Sequence, residues 1–155
     1  MRILVVCHGN ICRSPAAEAA IREAAEARGL EVEVDSAGTG PWNVGQPPNP
    51  QAVAAGERAG LHIAGRARRV IATDFNRFDM ILAMDRANLR DLLTLAPNLE
   101  ARAKVRLFRT YDPASEDDEV PDPYGGPDHL FDETIRIVRA AAEGLVESLV
   151  AAGAG

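Results

Sequence analysis

A chain of 155 residues, 46% hydrophobic and 26% charged, suits one domain around one core, expected to span 1–155. A net charge of −6 without a basic tract argues against a nucleic-acid partner, and no apolar stretch reaches membrane-spanning length, so no membrane contact is expected either. The only cysteines, Cys7 and Cys12, are too few for a disulfide framework and point to a reducing, cytoplasmic setting; the apolar run at the start is too short for a signal peptide.

Residues 2–6 carry Ile3-Leu4-Val5-Val6, an unbroken apolar run that predicts a strand buried on both faces. It delivers Cys7-His8-Gly9-Asn10-Ile11-Cys12-Arg13-Ser14-Pro15. Pro15 opens an Ala-rich helix predicted over 15–28, with Gly29 placed to end it. Val32 and Val34 alternate with Glu31, Glu33 and Asp35, the period of a strand at a sheet edge. Ser36-Ala37-Gly38-Thr39-Gly40 reads as a turn, and 41–48, rich in Pro and Gly, as a loop holding the single Trp42. That tryptophan is either a lid on the core or a wall of a binding site.

Asn49-Pro50 opens the next helix, ending near Ala59, with His62 at the surface beyond it. Arg66, Arg68 and Arg69 read as a basic patch or, in preference, as a solvated charged turn, before a short helix around 73–78. Residues 79–85 form a third strand. The helix over 86–96 places Leu89, Leu92, Leu93 and Ala96 on one face and stops at Pro97. A fourth strand covers 104–108. Residues 109–127 form a long loop with the acidic run Glu116-Asp117-Asp118-Glu119, and loops of that length are usually functional. A last helix from about 128 to 151 carries the stripe Phe131, Ile135, Val138, Ala142, Leu145, Leu149. The order predicts an α/β fold: three α/β/α layers, a parallel sheet of about four strands, and a phosphate loop after strand 1, at the carboxyl ends of the strands where ligands bind.

The stretch from Cys7 to Pro15 carries the chemistry. Backbone N–H groups of a tight loop and of a helix N-terminus converge there with positive potential. Gly9 and Asn10 are residue types that tolerate the positive φ such a loop needs. Five residues separate Cys7 from Arg13, so a loop wrapped round a tetrahedral anion sets them on opposite sides of it. Arg13 offers a planar fork for two oxygens. A sulfur facing the same amides is favoured as thiolate, a nucleophile towards phosphorus. The loop members His8, Gly9, Asn10, Ile11, Cys12 and Ser14 surround the substrate phosphate, and Ser14 can donate its hydroxyl to the departing sulfur. The general acid is expected from Asp122, stiffened by Pro121 and Pro123, with Tyr124 beside it to stack on an aryl ring. No His, Cys or carboxylate cluster has metal-ligand spacing, so neither metal nor other cofactor is expected.

These residues resemble the low-molecular-weight protein tyrosine phosphatases, whose loop runs Cys-x-Gly-Asn-x-Cys-Arg-Ser. The resemblance extends over about 1–150 through Ser36-Ala37-Gly38-Thr39, Trp42-Asn43-Val44-Gly45, Phe78-Asp79-Met80-Ile81-Leu82-Ala83-Met84-Asp85 and Asp122-Pro123-Tyr124. It implies phosphotyrosine proteins and small aryl phosphates as substrates, hydrolysed through a cysteinyl-phosphate, with inorganic phosphate as product inhibitor. It implies nucleophile, phosphate clamp and general acid roles for Cys7, Arg13 and Asp122. It further implies that Asn10 holds the loop's shape with Ser14 and Ser36, and that Trp42 and Tyr124 line the cleft. Two positions depart from the family pattern. Gly65 stands where many members have His, a buttress on Asn10, and Tyr124 is followed by Gly125-Gly126 rather than a second aromatic.

A protein-arginine phosphatase of the same fold is the nearest alternative, and Gly125-Gly126 looks like that subgroup. Its loop carries Thr where Ile11 stands; the bulkier Ile11 crowds a phosphoguanidine and suits a phenyl ester. An arsenate reductase needs further cysteines after Cys12, and there are none. A phosphotyrosine-binding module has no need of Cys7 or Asp122. Cys7 and Cys12, on one short loop, are also expected to form a redox pair in which Cys12 resolves an oxidised Cys7 to a disulfide.

Overall fold

The apolar run near the start has nowhere to go but the middle of the molecule. In a computed structural model of the chain, which describes residues 1–153, it forms β1 (Arg2–Cys7), and Ile3, Leu4, Val5 and Val6 are wholly buried. β1 lies inside a four-stranded sheet with β2 (Glu33–Gly38), β3 (Met80–Ala83) and β4 (Val105–Leu107), in the order β2-β1-β3-β4. All neighbouring pairs are parallel. Alternate side chains leave opposite faces of a strand, so Ile3 and Val5 feed one core layer and Leu4 and Val6 the other.

The first layer is closed by α1 (Arg13–Ala27), α2 (Pro50–Arg58) and α6 (Asp128–Ala151). Ala16, Ala17, Ala20 and Ala24 on α1 are small enough for α6 to pack closely, and the full α6 stripe from Phe131 to Leu149 is buried. Each such large apolar side chain contributes about 1.5–3 kcal/mol by leaving water. The second layer is closed by α3 (Asp74–Arg77), α4 (Arg86–Leu95) and α5 (Leu99–Ala103), through Phe75, Leu92 and Ala101. Three α/β/α layers and four parallel strands are the expected architecture, with β2 at an edge.

Three local expectations are corrected. Ser36-Ala37-Gly38 is strand, not turn, because it pairs with Val5, Val6 and Cys7. Gly38 is required there: a Cβ would lie 2.8 Å from the His8 carbonyl oxygen and 3.2 Å from the Asn10 Cβ. The five-residue α5, capped by Asn98, was not anticipated, since one turn carries too little periodicity. The fourth strand shrinks to Val105–Leu107, and a 3-10 turn over Phe108–Tyr111 begins the connection read as loop.

Register sets the stage for chemistry. Cys7 pairs with Gly38, and Val6 with Ala83, so the loop after β1 emerges at the carboxyl end of the sheet between the ends of β2 and β3.

Candidate active site

Cys7 ends β1, is 3% exposed, and lies on the floor of a cavity of about 230 Å³. Around it the chain curls through 8–12 and enters α1 at Arg13. Only Asn10 among non-glycine described residues has a positive φ, 57°. Gly9 does not use that freedom. What its small size leaves room for is Asn43: a Cβ would come within 2.7 Å of Asn43 Nδ2, which donates to the Gly9 carbonyl at 3.2 Å, and would push that amide aside.

Asn10 is the knot of the loop. Its backbone N–H points at Cys7 Sγ, 3.3 Å away. Its Nδ2 donates to Ser14 Oγ at 2.8 Å and to Ser36 Oγ at 2.9 Å, and its Oδ1 accepts from the Arg68 backbone N–H at 2.9 Å. With Ser14 Oγ already accepting from Asn10, its own proton is free for Cys7 Sγ at 3.0 Å. The backbone N–H of Arg68 thus buttresses Asn10 in a chain that has Gly65 in place of the expected histidine.

Arg68 is not the solvated charge its sequence context suggests. Its guanidinium forks onto both carboxyl oxygens of Asp74, each 3.1 Å away, and reaches Asp35 at 3.0 Å. Asp74 is wholly buried and also accepts the Ile71 N–H, so the fork leaves no unpaired charge. Neither Asp74 nor Asp35 carries a local signal for such a role; only the fold brings them beneath the loop.

Arg13 is 3% exposed. Its Nη1 donates to Asp85 Oδ2 at 2.6 Å and to the Val120 carbonyl at 3.0 Å. Its Nε and Nη2 have no hydrogen-bond partner among the described residues, and Nη2 lies 3.8 Å from Asp122. One edge of the fork is anchored and the other remains for a ligand. Burial by itself disfavours the charge, but Cys7, the Asp85 hydrogen bond and Asp122 outweigh it and hold the guanidinium pKa above its usual value. The first turn of α1 has no side-chain cap, whereas α2 and α4 are capped by Asn49 and Asp85. Its N–H groups are left for an anion.

Asp85 is the residue the sequence did not single out. Its Oδ1 caps α4 through the Asn88 N–H at 2.8 Å, and Asn88 returns a bond to the Asp85 N–H. The other oxygen therefore has a fixed aim at Arg13. An Asp followed three residues later by Asn is a usable capping signal, but nothing local links it to Arg13. Partial burial raises the Asp85 pKa, and the Arg13 and Asn88 hydrogen bonds more than reverse this, leaving it below the ordinary value. A depressed carboxylate stabilises the fold fully above its unfolded pKa of about 3.9 and loses that contribution as pH falls through the lower folded value. Asp85→Asn is expected to cost about 1–3 kcal/mol at neutral pH. Urea unfolding at stepped pH should show the gap to wild type closing below about pH 4; a constant gap would refute the ion-pair account.

The cavity walls come from other loops. Trp42 is 66% exposed and lies against His8 with ring centroids 4.7 Å apart, so it is a wall of the site and not a lid on the core. Tyr124, also 66% exposed, lines the cavity with Asp122. Asp122 Oδ1 accepts the Tyr124 N–H at 3.1 Å, and its side chain is half exposed. His8, Gly9, Ile11 and Cys12 line the cavity with Asn43, which the sequence had not marked. Asn10, Ser14 and Ser36 lie behind the floor, as supports. A larger open cleft of about 520 Å³ at the other end of the sheet, among Met1, Arg22 and Glu33, holds no nucleophile.

Both thiols are free, and Cys12 is buried. Burial first, then Cys7 and Asp122, push the Cys12 pKa up to about 12, against a smaller opposing effect of Arg13. Cys12 is therefore a protonated thiol at neutral pH, a state that slows the resolving attack expected of it.

The chain matches the family described as low molecular weight phosphotyrosine protein phosphatase over residues 2–154. It is 44% identical over 152 residues to a low molecular weight protein-tyrosine-phosphatase of Streptomyces coelicolor, covering 96% of this chain and 93% of that protein. A protein tyrosine phosphatase from Entamoeba histolytica, solved with Hepes in its active site, superposes with a TM-score of 0.95 at 35% identity over 99% of both chains. The arginine phosphatase YwlE of Bacillus subtilis, solved as a cysteine-to-serine mutant with the active-site serine phosphorylated, superposes with a TM-score of 0.85 at 28% identity, covering 97% of this chain and 96% of that one.

Proposed function

The chain belongs to the low molecular weight phosphotyrosine protein phosphatase family, a family of phosphoric monoester hydrolases, and on that premise we propose that it dephosphorylates phosphotyrosine through a cysteinyl-phosphate at Cys7. The observation that carries the reading is Cys7 Sγ on the cavity floor, with the Ser14 hydroxyl at 3.0 Å and the Asn10 N–H at 3.3 Å. The acting unit is the whole chain as one domain.

The free edge of Arg13 and the loop amides receive the phosphoryl oxygens and stabilise the charge that builds on them. Cys7 attacks phosphorus in line: the S–P bond forms as the aryl P–O bond breaks, and Asp122 gives its proton to the leaving phenolate oxygen. The phosphorylated serine that replaces cysteine in the active site of a YwlE mutant is in keeping with a phosphoenzyme at this position. Water then attacks phosphorus while Asp122 takes its proton, and the S–P bond breaks as the Ser14 hydroxyl donates to the departing sulfur. Trp42 and Tyr124 flank the aryl ring, and released phosphate competes for the same loop. A nucleophilic thiol needs reducing surroundings, which favours the cytoplasm, and no described helix is long and apolar enough to cross a membrane.

The test assays phenyl phosphate and matched phosphotyrosine, phosphoserine and phosphoarginine peptides, with excess chelator. Arg13 and the amides supply the positive charge, so turnover of the aryl esters is expected with chelator present. Loss of activity that a divalent ion restores would refute the mechanism. Faster turnover of phosphoarginine would favour the arginine phosphatase reading, which the likeness to YwlE and Gly125-Gly126 support and the bulk of Ile11 opposes.

A further inference from the structure

Two arginines near the cavity take no part in this chemistry. Cys7 pairs in register with Gly38, and Gly38 in turn bridges Arg69 in parallel. Strands lie about 4.8 Å apart, so the Arg69 backbone stands roughly 10 Å from that of Cys7, at the same level of the sheet. Arg69 is exposed, and its Nε donates to the Thr39 carbonyl at 3.3 Å. Thr39 Oγ1 is 3.4 Å from His8 Nδ1, and the His8 ring packs on Trp42. The guanidinium is thus held behind the aromatic wall of the cleft. Arg66 is exposed on the same segment, with Nη1 donating to the Gly45 carbonyl at 2.9 Å, next to the exposed Val44.

Neither arginine has a carboxylate within ion-pair distance among the described residues, while Arg68 between them is committed to Asp35 and Asp74. The other side of the cleft has the opposite sign. There Asp118 and Glu119 pair with Arg86 and Asp117 with Arg109, while Glu116 has no ion-pair partner among the described residues, and Asp122 follows a few residues on in sequence. The rim is therefore positive towards β2 and negative towards β4. Two cations on a chain of net charge −6 are too few to hold an anionic membrane surface.

We propose that Arg69, seconded by Arg66, receives a carboxylate of the substrate protein within about three residues of the phosphotyrosine, since an extended chain advances about 3.3 Å per residue. The proposal rests on the phosphotyrosine reading above. Because the opposite rim is acidic, only one polarity of peptide gains: an acidic residue on one side of the phosphotyrosine helps, and on the other it does not.

The experiment measures kcat/KM at low salt for three phosphotyrosine peptides of one length, with Glu on the amino side only, Glu on the carboxyl side only, or Gln throughout. One Glu peptide should exceed the Gln peptide by about two- to fivefold, the range of exposed ion pairs, and the gain should vanish near 1 M salt, where screening acts within about 3 Å. Arg69→Gln should bring that ratio close to one, and Arg69→Glu should reverse it in favour of the same peptide carrying Lys. Phenyl phosphate, which has no flanking residues, is read in parallel. An equal fractional loss on it and on every peptide would show a structural role and overturn the proposal. So would equal rates for the three peptides with wild type, or an unchanged ratio in Arg69→Gln. Failure of wild type to turn over any phosphotyrosine peptide would overturn the underlying reading as well, an outcome distinct from the others.

Discussion

Cys7→Ser is expected to reduce turnover of phenyl phosphate by several orders of magnitude while inorganic phosphate still binds. The serine oxygen is a far weaker nucleophile than a thiolate because it keeps its proton at neutral pH, and its two closest partners, the Ser14 hydroxyl at 3.0 Å and the Asn10 N–H at 3.3 Å, are donors and not bases. Removal of a nucleophile in other hydrolases costs about 10⁶ in kcat. Binding should survive because it does not depend on the sulfur. The free edge of Arg13, the loop amides and the uncapped first turn of α1 remain in place. Calorimetry with phosphate, set beside steady-state rates, reads both halves. Substantial residual turnover would remove Cys7 from the nucleophile's role, and loss of phosphate binding would show that the loop had collapsed instead.

Asp122→Ala carries the second large effect, and its signature is selectivity among leaving groups. Phenol has a pKa of about 10, so its departure as phenolate is slow without a proton, and a positioned acid contributes about 10²–10⁴ in rate. A nitrophenolate leaves readily without help. The variant should therefore lose about 10²–10⁴ on phenyl phosphate and much less on nitrophenyl phosphate. Phosphate affinity should change little, because Asp122 is 3.8 Å from Arg13 and the close partners of that guanidinium are Asp85 and Val120. Equal losses on the two esters would rule out leaving-group protonation.

Asp122 and Asp85 show the two kinds of evidence. That Asp122 belongs near Cys7 was legible only from context: Asp-Pro is common in turns, and its weight comes from standing in the long loop of a chain already carrying Cys7 and Arg13; the structure sets it on the cavity wall. Asp85 was not legible, although it lies 2.6 Å from Arg13, because the two are 72 residues apart and meet only through the strand pairing that sets β3 beside β1. Arg68 was misread for a related reason. Its neighbours in sequence are arginines, but its partners, Asn10, Asp35 and Asp74, come from the loop, from β2 and from α3. For Trp42 the sequence is compatible with a core lid or a cleft wall, and its contact with the His8 ring makes it the wall.

By itself the sequence determined whatever has a local cause. The buried β1, the tight loop with Asn10 in its left-handed turn, the Ala-rich α1 and the apolar stripe of α6 all follow from period, residue type and capping within a few residues. The tertiary structure alone decided which strand lies beside which, and with it four things: that β2 runs on to Gly38 under the loop, that Arg13 is held by Asp85, that Asn10 is buttressed by the Arg68 backbone, and that Arg69 bridges Gly38 on the far side of β2 from Cys7. The reason is that a parallel sheet joins its strands through crossovers of a dozen residues or more. Each of these contacts therefore bridges residues with no pattern in common, and it appears only once the two core layers have fixed the register.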